Sequence, residues 1–231
     1  MPLVFGWKDQ GLPHDVAAHA GSLAAVLFYF RADLLGALLA PLQPGRAGRR
    51  LLQLLVVGTL PAIVAGALLH DVAGTLLRNP LVVAGATMFF GILLWWADRS
   101  GSRDRVMDDI SWRDALVIGI AQCLALVPGT SRSGITMTAG LALGMDRDGA
   151  ARFSFLLSAP TILLAVLWEG RYLVTEPGPV DWASMGITTL FSALCALITI
   201  HFFLKWLART GMTPYVIYRL LLGTVLFAAY L

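Results

Sequence analysis

The residues with the clearest potential for chemistry stand together at positions 128–136, which read Pro-Gly-Thr-Ser-Arg-Ser-Gly-Ile-Thr. Here an arginine, hydroxyl side chains and two glycines interrupt a strongly apolar stretch. An ionisable residue at membrane depth is costly and usually functional. A Pro-Gly break before a new helix also leaves free backbone N–H groups and a helix dipole, both of which favour an anion. The pattern predicts a phosphate site within a membrane.

Arg132 is the predicted centre of this site, because a guanidinium can donate two hydrogen bonds to phosphate oxygens. Thr136 follows Ser133 by three positions and Arg132 by four, so both pairs can share a helical face. The hydroxyls can donate to the same oxygens, or one can attack phosphorus if a base removes its proton. The candidates for catalysis are Ser131, Arg132, Ser133 and Thr136, and those for substrate binding are Gly129, Thr130, Gly134 and Arg219.

Alternative interpretations of these residues stay open. The hydroxyls can simply cap a helix, and Arg132 can extend to a membrane interface. Arg219 can either face the site or reach the interface. The acidic residues near position 110, including Asp114, are interpreted as solvated. No acidic residue lies in the core of an apolar segment, so the sequence identifies neither a catalytic base nor metal ligands.

The composition is that of an integral membrane protein. Of the 231 residues, 58% are hydrophobic and only 13% are charged, with a mean hydropathy of +0.75. Soluble domains carry about 25% charged residues. The basic residues lie in short loops between apolar segments, which argues against nucleic acid as a partner. The lipid bilayer is the predicted environment.

The apolar segments predict an all-α, polytopic membrane fold with about six spanning helices and one re-entrant helical hairpin. A span needs about 20 apolar residues. We call residues 128–136 the phosphate motif. The apolar runs on either side of it, 115–127 and 135–145, are each too short to cross the membrane alone. We therefore predict that they form the hairpin. The six predicted spans are Val16–Phe30, Leu51–Leu69, Leu81–Ala97, Phe153–Trp168, Ile187–Leu204 and Tyr215–Leu231.

The distribution of basic residues supports the hairpin. With it, the loops on one side carry twelve Lys and Arg residues, including four in the loop 31–50, and the loops on the other side carry two. A single crossing through 115–145 would change these numbers to nine and five. The positive-inside rule favours the first arrangement and makes the basic side cytoplasmic.

An internal repeat is the predicted plan of the chain. Residues 25–31 resemble residues 165–171, and the same offset of 140 positions superimposes further predicted spans. Three spans per half would make the halves inverted. We predict one membrane domain, with an incomplete first half at 1–110 and a second half at 111–231 that carries the phosphate motif. The partner of that motif would precede Met1, so the first hairpin is expected to be missing.

The run from Gln122 to Thr136 resembles the undecaprenyl-diphosphate phosphatase family, of the bacitracin-resistance type. Every fixed position of the family pattern P-G-x-S-R-S-x-x-T is matched, and residues 152–160 and 214–219 also resemble the family. The family's E-x-x-x-E and P-x-S-S-x-G-H elements have no counterpart in residues 1–20. A start codon assigned too late, a truncated gene or a catalytically impaired descendant would explain that gap.

The resemblance implies an enzyme of the bacterial inner membrane that converts undecaprenyl diphosphate into undecaprenyl phosphate and inorganic phosphate. This reaction recycles the lipid carrier for peptidoglycan synthesis and confers bacitracin resistance. The resemblance also implies a divalent metal, Mg²⁺ or Ca²⁺, and an active site that faces outward. Arg132 would bind the diphosphate, and Ser131 or Ser133 would orient or attack the terminal phosphorus. The alternative functions are a polyprenyl-phosphate transporter and a catalytically impaired remnant that binds lipid.

Overall fold

The computed structural model describes residues 11–40, 46–75, 79–175 and 181–230 of the chain. Within these ranges the regular elements are helices, accompanied by a single isolated β-bridge between Arg105 and Met145. The helices are α1 Leu12–Tyr29, α2 Arg31–Leu39, α3 Arg46–Thr75, α4 Pro80–Ser100, α5 Trp112–Cys123, α6 Arg132–Ala142, α7 Arg147–Thr175, α8 Trp182–Thr210 and α9 Thr213–Tyr230. Two 3₁₀ turns, Met107–Asp109 and Leu124–Leu126, flank α5.

The predicted all-α, polytopic membrane fold is confirmed. Five described helices are long and apolar enough to cross a membrane, and they coincide with five of the six predicted spans. Their apolar segments are Gly48–Leu69, Pro80–Ser100, Arg147–Leu173, Trp182–Thr210 and Thr213–Tyr230. The many exposed leucine, isoleucine and phenylalanine side chains on these helices fit a lipid environment, since lipid tails are as apolar as the side chains themselves.

The first predicted span, Val16–Phe30, differs from the expectation. The chain bends by 81° between α1 and α2, so α2 occupies residues that the sequence analysis assigned to the loop 31–50. The break falls at Phe30, whose backbone conformation (φ −100°, ψ 24°) is not helical. Leu34 and Ala37, three positions apart, are buried on one face of α2. Burial of that face stabilises a helix too short to be recognised as a span.

The chain divides into two compact units. The first comprises the described residues of Met1–Arg50 and Leu156–Phe203. In it, hydroxyls of α8 bond to backbone carbonyls of α1: Thr189 donates to Ala17 O over 3.2 Å, and Ser192 donates to Ala18 O over 2.7 Å. Small and hydroxyl residues commonly join membrane helices in this way.

The second unit, Leu51–Phe155 and Leu204–Leu231, contains the phosphate motif. Helices α5 and α6 pack on each other as the predicted hairpin, α6 also contacts α4, and α4 packs along α9. Fully buried side chains of the unit include Ile118 of α5, Leu141 of α6 and Phe153 of α7. The half-repeat boundary at residue 110 stays a prediction, and the expected absence of a first hairpin concerns positions outside the described residues.

Candidate active site

A capped helix leads into the hairpin. Ser111 Oγ accepts a hydrogen bond from the backbone N–H of Asp114, and the Asp114 carboxylate accepts one from the backbone N–H of Ser111 over 2.8 Å. This reciprocal capping box satisfies two N–H groups that a helix start otherwise leaves unpaired. Helix α5 then continues to Cys123 and tightens into the 3₁₀ turn Leu124–Leu126. The connection that follows, residues 127–131, is the tip of the hairpin.

The tip is built closely against α4 at Gly129. The backbone of Gly129 is left-handed, with φ +93°, and a Cβ there would lie 2.3 Å from Val83 O and 2.8 Å from Thr87 Oγ1. Glycine adopts this conformation without steric cost and leaves the space that the approach requires. The Pro-Gly pair therefore turns the chain, as expected, and also determines how near the tip comes to α4.

We expect Gly129→Ala to lower the free energy of unfolding by about 2 kcal/mol or more. The left-handed backbone and the clash with a carbonyl of α4 each contribute to the loss. Gly66→Ala is the matched control, because nothing lies within 4 Å of a Cβ at that position of α3. The control is expected to be neutral or slightly stabilising. Unfolding of both variants in detergent measures the difference, and equal stabilities would contradict the described tip geometry.

Helix α6 begins at Arg132, shortly after the Pro-Gly break, where the sequence predicted a new helix. Ser131 is the N-cap residue, and its Oγ accepts a hydrogen bond from Gly134 N over 3.3 Å. Ser131 has φ +67°, a backbone region in which non-glycine residues are uncommon. Such strained residues cluster at functional sites. Ser131 is also exposed, so a ligand can reach its side chain.

Arg219 reaches the hairpin tip from α9. It is only 8% exposed, and its Nε donates to Thr87 O over 3.1 Å while Nη2 donates to Gly129 O over 2.9 Å. One guanidinium thus connects α9, α4 and the tip. Of the two placements left open by the sequence, the structure shows the buried one beside the phosphate motif.

Gly134 lets the Arg219 guanidinium approach the first turn of α6. A Cβ at Gly134 would lie 2.7 Å from Arg219 Nη1 and 3.1 Å from Ser131 Oγ. The positive charge of Arg219 is consequently added to the partial positive charge of the α6 N-terminus. Both electrostatic features favour an anion at the same end of the helix.

Two further polar groups of the motif are buried without a described partner. Arg132 Nη1 and Thr130 Oγ1 make no hydrogen bond to any described residue, and Thr130 is fully buried. No described carboxylate pairs with Arg132 or Arg219. Because a buried charge is costly unless it is paired, this end of the hairpin is suited to receive an anion.

The three candidate hydroxyls differ in their surroundings. Thr136 Oγ1 is buried, donates to the carbonyls of Arg132 and Ser133, and lies 2.6 Å from Ser154 Oγ of α7. Ser133 is partly exposed and Ser131 is exposed. The described contacts thus engage the Thr136 hydroxyl inside the protein, whereas the two serines are accessible. The catalytic roles of all four candidates stay predictions.

Sequence reasoning missed Gln122 as a functional candidate. This residue of α5 is 2% exposed, and neither Nε2 nor Oε1 of its carboxamide has a hydrogen-bond partner among the described residues. The available signal was a single amide in a strongly apolar run. That signal was weak, because the sequence does not show which helix face is buried.

The chain is similar to known proteins over nearly its whole length. Residues 1–225 match the family described as "Bacitracin resistance protein BacA". The chain belongs to the BacA family. It is 52% identical to Undecaprenyl-diphosphatase 2 of Stutzerimonas stutzeri strain A1501 over 235 residues, which cover 97% of this chain and 86% of the relative. It is 48% identical to Undecaprenyl-diphosphatase of Nitrosococcus oceani over 234 residues, covering 98% and 88%. The resemblance inferred from the motif is confirmed.

An ion pair holds the two outer ends of the BacA-family hairpin together. Arg105 Nη2 lies 2.5 Å from the carboxylate of Asp114 in α5, and Arg105 Nη1 donates to Leu143 O, just beyond α6, over 2.9 Å. Burial raises the pKa of Asp114, but hydrogen bonds from Arg105 and Ser111 outweigh this effect and hold that pKa below its ordinary value of 3.8. The same hydrogen bond raises the pKa of Arg105. The interpretation of Asp114 as a solvated residue was therefore wrong.

This ion pair predicts a loss of stability in acid. A carboxylate whose folded pKa is lowered stabilises the protein fully above its ordinary, unfolded pKa of 3.8 and ceases to stabilise it as the pH falls through the folded pKa. We expect Asp114→Asn to cost about 1 to 2 kcal/mol at pH 7 and nothing once the pH lies below the folded pKa. Unfolding of the wild type and of the variant, at pH 7 and at a pH below the folded pKa of Asp114, measures the difference in stability. Asp108→Asn, at an exposed position, is the control. A cost that does not depend on pH would contradict the charge pairing.

A second ion pair, with a buried carboxylate, joins helix ends of the same unit. Asp98, near the end of α4, is 2% exposed and accepts two hydrogen bonds from Arg147 of α7, Nε to Oδ1 over 2.6 Å and Nη2 to Oδ2 over 2.9 Å. The backbone N–H of Met212, just before α9, donates to the same carboxylate over 3.2 Å. Arg103 donates to the Asp98 carbonyl. One carboxylate thus connects α4, α7 and the start of α9.

The described residues do not by themselves form a site for the divalent metal that the family resemblance implies. No group of three or more His, Cys, Asp or Glu side chains is suited to a metal within the described ranges. The side chains of Thr130, Ser131, Arg132 and Arg219 offer hydroxyl and guanidinium groups. Mg²⁺ and Ca²⁺ instead bind through oxygen ligands, prominently carboxylates. We therefore assign no step to metal ligands of this part of the chain.

Proposed function

We propose that this chain removes the terminal phosphate of undecaprenyl diphosphate, yielding undecaprenyl phosphate and inorganic phosphate. The observation that carries the proposal is the pair of arginines at the hairpin tip. Arg132 has a buried, unpartnered Nη1, and buried Arg219 directs its guanidinium toward the same helix end. Membership of the BacA family and two relatives named for diphosphatase activity support the same reaction.

The site residues make different contributions to binding of the diphosphate headgroup. Arg132 donates to oxygens of the diphosphate, where a guanidinium provides directed donors as well as charge. Arg219 uses Nε and Nη2 to fix the tip, so its contribution to substrate is chiefly its charge and Nη1. Gly129 and Gly134 allow the close approaches, and Thr130 supplies a further hydroxyl donor.

Cleavage requires that an oxygen nucleophile form a bond to the terminal phosphorus while the bond from phosphorus to the bridging oxygen breaks. Undecaprenyl phosphate then leaves with the bridging oxygen. The nucleophile is either water, which yields inorganic phosphate directly, or the accessible hydroxyl of Ser131 or Ser133. In the second case the serine is left phosphorylated, and a water molecule must then cleave the phosphoserine to release inorganic phosphate. The proton that the nucleophile loses passes to solvent or to an oxygen of the departing phosphate. Arginine donors stabilise charge that develops on the phosphoryl oxygens, and this is the main contribution that proteins make to phosphoryl transfer.

The cellular setting follows from the same proposal. Five or six apolar helices make this a multi-pass membrane protein. We place it in the bacterial inner membrane with the hairpin tip open toward the outer side, where the carrier lipid is left after polymer synthesis. The product then re-enters peptidoglycan synthesis, and a higher level of the enzyme confers bacitracin resistance. A divalent cation, Mg²⁺ or Ca²⁺, is part of the proposal.

Lipid translocation is a second candidate function. The observation that favours it is the 81° break between α1 and α2, because discontinuous helices are common in transporters. Translocation would move undecaprenyl phosphate across a bilayer without release of phosphate. Hydrolysis remains the better supported function, because the arginines and hydroxyls gather at one anion-binding helix end.

The decisive assay is phosphate release by the purified chain in detergent. We expect one equivalent of inorganic phosphate per undecaprenyl diphosphate, and no release from undecaprenyl monophosphate. The assay is run with Mg²⁺, with Ca²⁺ and with EDTA to test the divalent cation. Absence of release under all conditions would overturn the proposal. Movement of a labelled lipid across liposomes without release would support translocation instead.

A further inference from the structure

Gln122 of α5 has a buried carboxamide to which no role has been assigned so far. Its carboxamide is buried, yet neither the donor nor the acceptor is satisfied by a described residue. Leaving a buried polar group unsatisfied costs about 1 to 3 kcal/mol. Buried side-chain amides are nearly always hydrogen-bonded, so an exception requires an explanation. A partner supplied by a ligand or by water is the direct explanation.

The position of Gln122 in the hairpin agrees with a ligand partner. Gln122 is the penultimate residue of α5, and Ser133 is the second residue of α6. The two helices pack against each other on either side of the tip. In a helical hairpin, the end of the first helix and the start of the second lie on either side of the same short connection. Gln122 and Ser133 therefore both lie close to the turn of the hairpin, at the end where the anion site is proposed.

The unsatisfied groups are also concentrated in this hairpin. Among the described residues, buried side-chain atoms without a hydrogen-bond partner occur at four positions, and three of these are Gln122, Thr130 and Arg132. The fourth, Glu169, belongs to the other unit and lies 3.7 Å from His19. A hairpin that only packed as a structural element would have little reason to hold three such groups within eleven consecutive positions.

We propose that Gln122 is a further substrate-binding residue, whose Nε2 donates to a phosphoryl oxygen of the diphosphate and whose Oε1 accepts a hydrogen bond from water at that phosphate. This proposal rests on the function proposed above. A carboxamide suits the role because it carries both a donor and an acceptor, whereas guanidinium groups only donate. A neutral group also adds a contact without adding charge to a site that already holds two arginines.

Gln122→Met separates this role from a structural one. Methionine has nearly the same shape but no donor, so the ligand-free variant is expected to match or exceed the wild-type Tm, since an unsatisfied polar group is removed. The rise in Tm caused by inorganic pyrophosphate is expected to disappear or shrink strongly. The kcat/KM for undecaprenyl diphosphate is expected to fall about 10- to 100-fold, the range for a lost hydrogen bond to a charged group. Gln53→Met, at an exposed position of α3, is the matched control and is expected to behave as wild type.

A second variant tests the donor alone. Gln122→Glu keeps the size and the acceptor but removes the donor, and is expected to lose pyrophosphate binding at least as strongly as Gln122→Met. The Gln122 proposal is overturned if the wild type binds pyrophosphate or turns over substrate and both variants do so equally well. If the wild type itself neither binds pyrophosphate nor releases phosphate, the proposed function is overturned as well, so the two failures are distinguishable.

Discussion

Arg132→Ala is expected to lower kcat/KM for phosphate release from undecaprenyl diphosphate by about 10²- to 10³-fold. Loss of one preorganised donor to a developing oxyanion has an effect of this size in other enzymes. The folded state should not suffer, because the variant removes a guanidinium whose Nη1 is buried without a partner. A Tm equal to or above that of the wild type, measured beside the activity, separates lost chemistry from lost structure.

Arg113→Ala is the matched control for this prediction. Arg113 lies on α5 of the same hairpin, is exposed, and stacks on the neighbouring Trp112 ring at 5.6 Å. The variant removes the same charge from the same hairpin, but at an exposed position outside the proposed site. It is therefore expected to keep the wild-type kcat/KM. Arg132→Lys should lie between the wild type and Arg132→Ala, because lysine keeps the charge but not the paired donors. Equal activity of Arg132→Ala and Arg113→Ala would exclude Arg132 from the site.

Asp98→Ala is expected to lower the free energy of unfolding by about 3 to 5 kcal/mol. Removal of one partner of a buried ion pair leaves the other charge uncompensated, which is the usual source of a loss of this size. Here the loss includes two hydrogen bonds from Arg147 and one from the backbone N–H of Met212. Reversible unfolding in detergent is the measurement.

The exposed Asp104→Asn, in the loop after α4, is the control and should change stability by no more than about 0.5 kcal/mol. The double variant Asp98→Ala/Arg147→Ala should recover part of the loss, since it removes the uncompensated charge. Additive effects of the two single changes would mean that the pair is not coupled in the folded state.

The hairpin and its tip could be predicted because their signals are local. Pro128, Gly129 and the polar run after them interrupt two apolar segments, and each segment is too short to span alone. Chain reversal, the start of α6 and the concentration of hydroxyls around Arg132 follow directly from neighbouring residues. Five of the spans were predictable for the same reason, since length and hydropathy are properties of a continuous segment.

The partners of Asp98, and the burial of Gln122, could not be predicted, because they depend on contacts between distant parts of the chain. Asp98 bonds to Arg147 over 49 positions and to Met212 over 114. Nothing near Asp98 in sequence indicates either partner. The buried state of Gln122 likewise depends on which face of α5 meets its neighbours. Helix α2 was missed because the energy that stabilises a nine-residue helix comes from burial rather than from its own composition.

Arg219 follows Gly129 by 90 positions, and this separation determines when the tip is finished during synthesis. Translation at about 5 to 20 residues per second separates the two residues by several seconds or more. Through that interval the carbonyls of Gly129 and Thr87 have not yet received the donors that Arg219 supplies. A nascent chain can therefore hold the complete phosphate motif in the bilayer and still lack a finished site. Insertion of α9 is therefore the step that completes the proposed substrate site of the newly made protein.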